Sequence, residues 1–260
     1  MSQNFFTLRQ YLTSKLLFSC TLILYLILTT TAIAKYTPPK NPSNPTTPTG
    51  SNGSRGNGCQ GDAKTSLTAL APLTYIGQTV SLQPTFVWFV PDSQSRKIEF
   101  TIYKYVNGKF EKIDTILMQS SPGIMTYSLA NTKTSLSVGE KYLWQVALLC
   151  NLNHPSKNLI ARAEIEVVTI APSLKNALAR TKEFLQRSDL YAEKGLWYDA
   201  MAEILNNSVN KASIFQLLVE LKNLELDEIS KISEPARKKS LQQQVLRLQE
   251  IIATEQLNLK

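Results

Sequence analysis

The sequence predicts an α+β protein: an immunoglobulin- or fibronectin-like antiparallel β-sandwich followed by a C-terminal α-helical hairpin region. Two patterns, and the point where one replaces the other, carry that prediction. From Leu67 to Ile170, short runs alternate apolar and polar side chains between turn signals, the period of two expected of half-buried strands. From Pro172-Ser173 onward, apolar residues recur every three or four positions, the period of an amphipathic helix. The change of period divides a β region, 59–171, from an α-helical region, 172–260.

The central strand is expected within Leu136–Cys150, where Tyr142, Trp144, Val146, Leu148 and Cys150 fall on one face. Its lead-in of Leu136, Gly139 and Tyr142 resembles a tyrosine corner, in which the phenol bonds back to the preceding backbone. Leu67–Leu70 and Thr79–Leu82 are expected as short first strands. Pro84–Val90 places Phe86, Trp88 and Val90 on one face, and Lys97–Tyr105 turns Ile98, Phe100 and Ile102 inward against Glu99, Thr101 and Tyr103. Asn107-Gly108, two residues suited to positive φ, is a hairpin signal into Phe110–Met118. Ile124–Leu129 and Leu159–Ile170 complete about seven strands, the number of an immunoglobulin-like domain.

In the helical region Leu174, Ala177, Leu178, Thr181, Phe184 and Leu185 form one apolar face. Tyr191, Gly195, Trp197 and Ala200 have spacings that resemble a tetratricopeptide helix pair, and with a single copy the expectation is a hairpin, not a solenoid. A helix over Lys211–Leu226 and a last one after Pro235 follow. With cores around Trp88 and Trp144 on one side and Trp197 on the other, the β region is expected to stand as a folded unit without residues 172–260.

Ahead of both regions, residues 1–34 read as a secretory signal: Arg9 and Lys15, the apolar run Leu16–Leu28, then Ala32-Ile33-Ala34 before Lys35. Leu16–Ala34 is also near the length that spans a bilayer, so an uncleaved membrane anchor is the alternative. Residues 35–58, rich in Pro, Thr, Asn, Ser and Gly without an apolar period, read as a flexible linker. The chain is expected in the periplasm or cell envelope.

Composition narrows function by exclusion. An apolar fraction of 43% is that of a globular chain, and the net charge of +8 is scattered without the basic stripe of a nucleic-acid binder. The single histidine, His154, lies in a loop with no nucleophile motif, and Glu164 with Glu166 and Asp227 with Glu228 read as solvated charge. No catalytic residue, cofactor or metal ligand set is assigned, and the protein is expected not to be an enzyme. After removal of Cys20 the chain keeps Cys59 and Cys150, an even number in an oxidising compartment, and a disulfide between them is expected; two separate buried thiols are the alternative.

Gly58-Cys59, Leu67–Pro72, Pro84-Thr-Phe-Val-Trp88 and Gly195-Leu-Trp-Tyr-Asp-Ala200 together resemble a family of exported cyanobacterial proteins known as a domain of unknown function, over roughly residues 55–230. The resemblance implies no activity. The expected role is an envelope protein-interaction module binding an envelope or secreted protein partner through its loops. A carbohydrate-binding module using Tyr103 and Tyr105 as stacking platforms is one alternative, and an enzyme of unfamiliar type using carboxylates and Tyr at the sheet–helix junction is another.

The cysteine expectation is directly testable. Non-reducing mass spectrometry of the exported protein should yield a linked Cys59–Cys150 peptide pair, and reduction should lower stability by up to about 4–5 kcal/mol, the chain-entropy figure for so long a loop. Two freely alkylated thiols in the unreduced protein would contradict it.

Overall fold

A computed structural model of the chain describes residues 35–47, 49–52, 66–91, 94–151, 153, 155–206 and 211–257. The predicted export signal, Cys59, His154 and the linker glycines Gly53, Gly56 and Gly58 lie outside them. The fold is mixed α+β, with two sheets and five α-helices among the described residues. The strands are β1 Gly50–Asn52, β2 Thr68–Ala69, β3 Gly77–Thr79, β4 Thr85–Val90, β5 Lys97–Val106, β6 Lys109–Gln119, β7 Gly123–Ser128, β8 Lys141–Leu148 and β9 Leu159–Val167. The helices are α1 Pro172–Arg180, α2 Phe184–Ala192, α3 Trp197–Leu205, α4 Lys211–Ser230 and α5 Pro235–Leu257.

The larger sheet has the order β1-β9-β8-β5-β6, with β3 parallel to β9; the smaller has the order β2-β4-β7. Alternation sets the faces as the sequence predicts. Ile102 lies opposite Trp144 and Trp144 opposite Ala163, so the apolar sets of β5, β8 and β9 share one face. Phe86 and Trp88 meet that face from β4: Phe86 lies 5.0 Å from Phe100 and 5.3 Å from Trp144, and Trp88 stacks on Phe100. Asn107 and Gly108 turn the β5–β6 hairpin, both with positive φ. The phenol of Tyr142 accepts a hydrogen bond from Ser137 N–H at 2.9 Å, closing the corner ahead of β8.

Three local readings are corrected. The second short strand is Gly77–Thr79 rather than Thr79–Leu82, because its partner is β9 in parallel register and Val80 belongs to the loop that follows. The helical face expected through Leu185 is cut at 181–183. There Thr181 leaves helical geometry, and Arg187 of α2 donates to Leu178 O at 3.1 Å, satisfying a carbonyl at the end of α1. Residues 35–47 and 49–52, expected within a flexible linker, form a strap that is hydrogen-bonded at Tyr36, Thr37, Ser43, Thr46 and Thr47 and ends as β1 on the edge of β9.

Val87 and Phe89 point away from the larger sheet and are nevertheless buried, so the smaller sheet has two covered faces. Leu217, Leu218 and Leu221 of α4 and Leu248, Ile251 and Ile252 of α5 belong to the same apolar cluster as these β4 residues. The core therefore crosses the change of period at Pro172. Removing the helices would expose Val87 and Phe89 and leave the buried Trp144 N–H without its acceptor on α3. The expectation of an independent β region accordingly reverses. Residues 55–171 expressed alone in an oxidising compartment should give poor amide dispersion and no cooperative melt, and a well-dispersed spectrum would count against a shared core.

Candidate functional site

The run Gly195-Leu-Trp-Tyr-Asp-Ala200 opens α3, and successive residues of a helix point about 100° apart. Three consecutive side chains consequently reach three different parts of the β structure. Trp197 donates its indole N–H to Leu70 O at 3.0 Å. Tyr198 accepts from the indole N–H of Trp144 at 2.8 Å and donates its hydroxyl to Glu164 O at 3.2 Å. Asp199 accepts from Val80 N–H at 3.0 Å. Ala200 is buried at the α2–α3 crossing, where Ser188 of α2 donates to its carbonyl at 2.9 Å. Gly195 precedes them with φ +75, and a β-carbon on it would lie 2.6 Å from the nitrogen of Pro39. Only glycine satisfies both the conformation and the passage of the strap.

Glu225 of α4 is fully buried and accepts from Leu73 N–H at 2.8 Å and Thr74 N–H at 3.0 Å. Burial pushes both Asp199 and Glu225 up to about 7, and the backbone N–H groups they hold pull in the opposite direction. Within electrostatic range of Glu225 the hydroxyl of Tyr75 donates to that of Tyr36 at 2.9 Å, and burial raises both phenols well above their ordinary range.

Each carboxyl near neutrality could serve as an acid or base, but the oxygens of both hold loop backbone in place. A cavity between Thr68–Leu73 and Gln244–Leu248, bordered by the Leu73 whose N–H Glu225 holds, is about 10 Å³, the volume of one water rather than of a substrate. What the junction does chemically is lock. It joins α3 and α4 to the loops after β2 and β3 through charge-assisted bonds.

Glu164, read from sequence as solvated, is 3% exposed: Thr46 Oγ1, Thr47 N–H and Thr47 Oγ1 all donate to its Oε1 within 3.0 Å. The strap that covers it lies 118 residues away in sequence. Asp227 and Glu228 stand near the end of α4, not at a helix start. Asp199 and Glu225 were missed by sequence reasoning, since a lone acid on a helix carries no sign of what it will face. Trp88, Trp144 and Trp197 are each fully buried. Cys150 is half-buried just past β8, and its expected partner Cys59 lies outside the described residues. Among the described residues no cluster of three or more metal-binding side chains occurs, and no helix is long and apolar enough to cross a membrane.

The surface differs from one edge of the larger sheet to the other. β9 is covered by β1 and β3, whereas among the described residues β6 is the terminal strand, paired with β5. On β6, Ile113 is 44% and Leu117 61% exposed. Ile102 pairs with Asp114 and Tyr103 with Lys112, so Ile113 is the extra residue of a bulge. Asp114 blunts the edge there by accepting Thr115 N–H and the Thr134 hydroxyl. On the outer face Tyr103 and Tyr105 are half-buried, and the Tyr105 ring lies 5.1 Å from that of Phe110.

A family model described as Domain of Unknown Function (DUF928) matches residues 50–233, from β1 to the loop before α5. No curated protein matches the sequence.

The buried acids set a pH dependence. Both folded carboxyls titrate higher than in the unfolded chain, so their contribution to stability is full below the ordinary carboxylate range and is lost as pH rises through about 7. The melting midpoint should fall between pH 5 and 8, and Asp199→Asn with Glu225→Gln should flatten that slope. Glu225→Ala should cost about 1–3 kcal/mol for each loop N–H left unpaired; a variant as stable as the parent in chemical denaturation would contradict the lock.

Proposed function

We propose, for a chain that belongs to the DUF928 family, the role of an exported, non-enzymatic envelope protein that binds an extended segment of a protein partner along β6. The carrying observation is the C-terminal half of that strand, where Leu117 is 61% exposed on an edge that bulge and carboxylate protect only as far as Thr115. The partner-binding surface is thus the hairpin β5–β6 rather than the loops named from sequence. Support for a non-enzymatic role comes from the junction, whose buried carboxylates are committed to backbone donors.

An immunoglobulin- or fibronectin-like sandwich fits this reading. Three strands β2-β4-β7 face four, β9-β8-β5-β6, and the tyrosine bond precedes β8. The helical hairpin is α2 with α3, held by Ser188 and by the Arg187–Glu203 pair at 2.7 Å. Removal of residues 1–34, the envelope location and the Cys59–Cys150 crosslink belong to the same proposal, supported by the Ala-Ile-Ala sequence before Lys35 and the two remaining cysteines. A second reading rests on Tyr103 and Tyr105, two residues apart on the outer face beside Phe110: a polysaccharide binder that stacks sugar rings.

Immobilised mature protein and its Leu117→Asp variant, exposed to envelope extract from the producing cell, separate these readings. Leu117 is exposed enough that the change should move stability by no more than about 0.5 kcal/mol. Loss of a specific captured protein with Leu117→Asp is expected. Equal capture by both overturns the β6 surface, and retention on polysaccharide that depends on Tyr103 favours the second reading.

A further inference from the structure

The start of the strap is held more firmly than a covering segment requires. Tyr36 is fully buried, with its ring edge-on to Trp197 at 5.2 Å and its hydroxyl on Tyr75. Its backbone N–H donates to Glu220 Oε2 of α4 at 2.8 Å. Thr37 continues the attachment: its N–H donates to Ala192 O at 3.1 Å and its hydroxyl to Glu193 O at 2.7 Å, at the end of α2. The strap therefore begins at a seam between α2 and α4.

That seam is acidic. Asp189 of α2 lies within electrostatic range of both Glu220 and Glu193, and burial together with these two neighbours pushes its carboxyl above the ordinary range. Three carboxylates at the end of a strap cost free energy unless positive charge joins them. Covalent geometry places the backbone nitrogen of Lys35 less than about 4 Å from that of Tyr36, beside the carboxylate the latter already engages. Lys35 is also the residue that follows Ala32-Ile33-Ala34.

We propose that Asp189, Glu193 and Glu220 form a receptor for the α-ammonium of Lys35, created when the preceding residues are removed. Hydrolysis of the Ala34–Lys35 peptide bond consumes one water, leaves a carboxylate on Ala34 and frees the amine on Lys35, which is protonated at neutral pH. The new charge meets the three acids while Tyr36, already seated on Trp197 and Tyr75, fixes its position. Processing thereby tightens the seam between α2 and α4 and holds the strap whose further residues cover Glu164. This inference rests on the export reading for the source of the ammonium; the docking itself is separable.

The test compares the mature chain 35–260 with the same chain Nα-acetylated and with 32–260, which carries its ammonium three residues further out. The free Lys35 amine should raise the melting midpoint by about 2–4 °C over both, and Glu220→Gln should shrink the gap. Should that variant fail to fold, Asp189→Asn serves, since Tyr36 N–H keeps its acceptor. Equal midpoints for the three chains overturn the receptor and leave export untouched. N-terminal sequencing from an exporting cell is the independent arm: Lys35 supports the proposal, whereas Met1 in a membrane fraction overturns the export reading and with it the source of the ammonium.

Discussion

The hydrogen bond from the Trp144 indole to the Tyr198 hydroxyl is the constraint around which the rest is arranged. Trp144 is fully buried at the centre of the larger sheet, and an N–H there needs an acceptor. The acceptor arrives from α3, so α3 must enter where the two sheets meet, and Phe86 of the smaller sheet lies 5.9 Å from the same tyrosine ring. Gly77 then has to lack a side chain, since a β-carbon would lie 2.8 Å from the Tyr198 ring. Because Tyr198 is fixed, its neighbours Trp197 and Asp199 are aimed at Leu70 and Val80 by helix geometry alone. One bond thus determines which loops the first turn of α3 can hold.

Those loops show a second regularity. Residues 35–47, 70–76 and 80–83 contain little regular structure, yet parts of the first two are buried and Val80 is half-buried, and backbone N–H groups withdrawn from water need partners. The partners are carboxylates on the regular elements: Glu220 for Tyr36, Glu225 for Leu73 and Thr74, Asp199 for Val80, and Glu164 for Thr47. A carboxylate suits this task because an ionised acceptor makes the stronger bond. Its desolvation sets the opposing term, which is why Asp199 and Glu225 are raised toward neutrality rather than depressed by their donors.

The same physics decides what the sequence could disclose. The strands from β4 to β9 were legible because alternation is local, and each strand declares its own buried face. The corner at Tyr142 was legible for the same reason: its acceptor and donor are five residues apart. Glu164 was misread because its cover comes from the strap, which has linker composition and no apolar period; a single fully buried aromatic, Tyr36, anchors it. The break at 181–183 was hidden because it depends on Arg187 reaching back to Leu178 and across to Glu203. Asp199 and Glu225 had no local mark at all, since the groups they serve lie 119 and about 150 residues away.

The two edges of the larger sheet complete the account. At one, β1 and β3 both pair with β9, and the helices fasten the chain on either side of β3 through Leu70, Leu73 and Val80. At the other, β6 carries a bulge, two lysines and a capped amide in its first half, devices that discourage indiscriminate pairing. They stop before Ile116–Gln119, where Leu117 remains the most exposed apolar residue of the sheet. Had the whole edge been left bare, it would favour aggregation; had the whole edge been blunted, it would admit nothing. Protection confined to half of a strand restricts pairing to a short segment approaching from the β6 C-terminus, and the specificity we assign to this edge follows from that restriction.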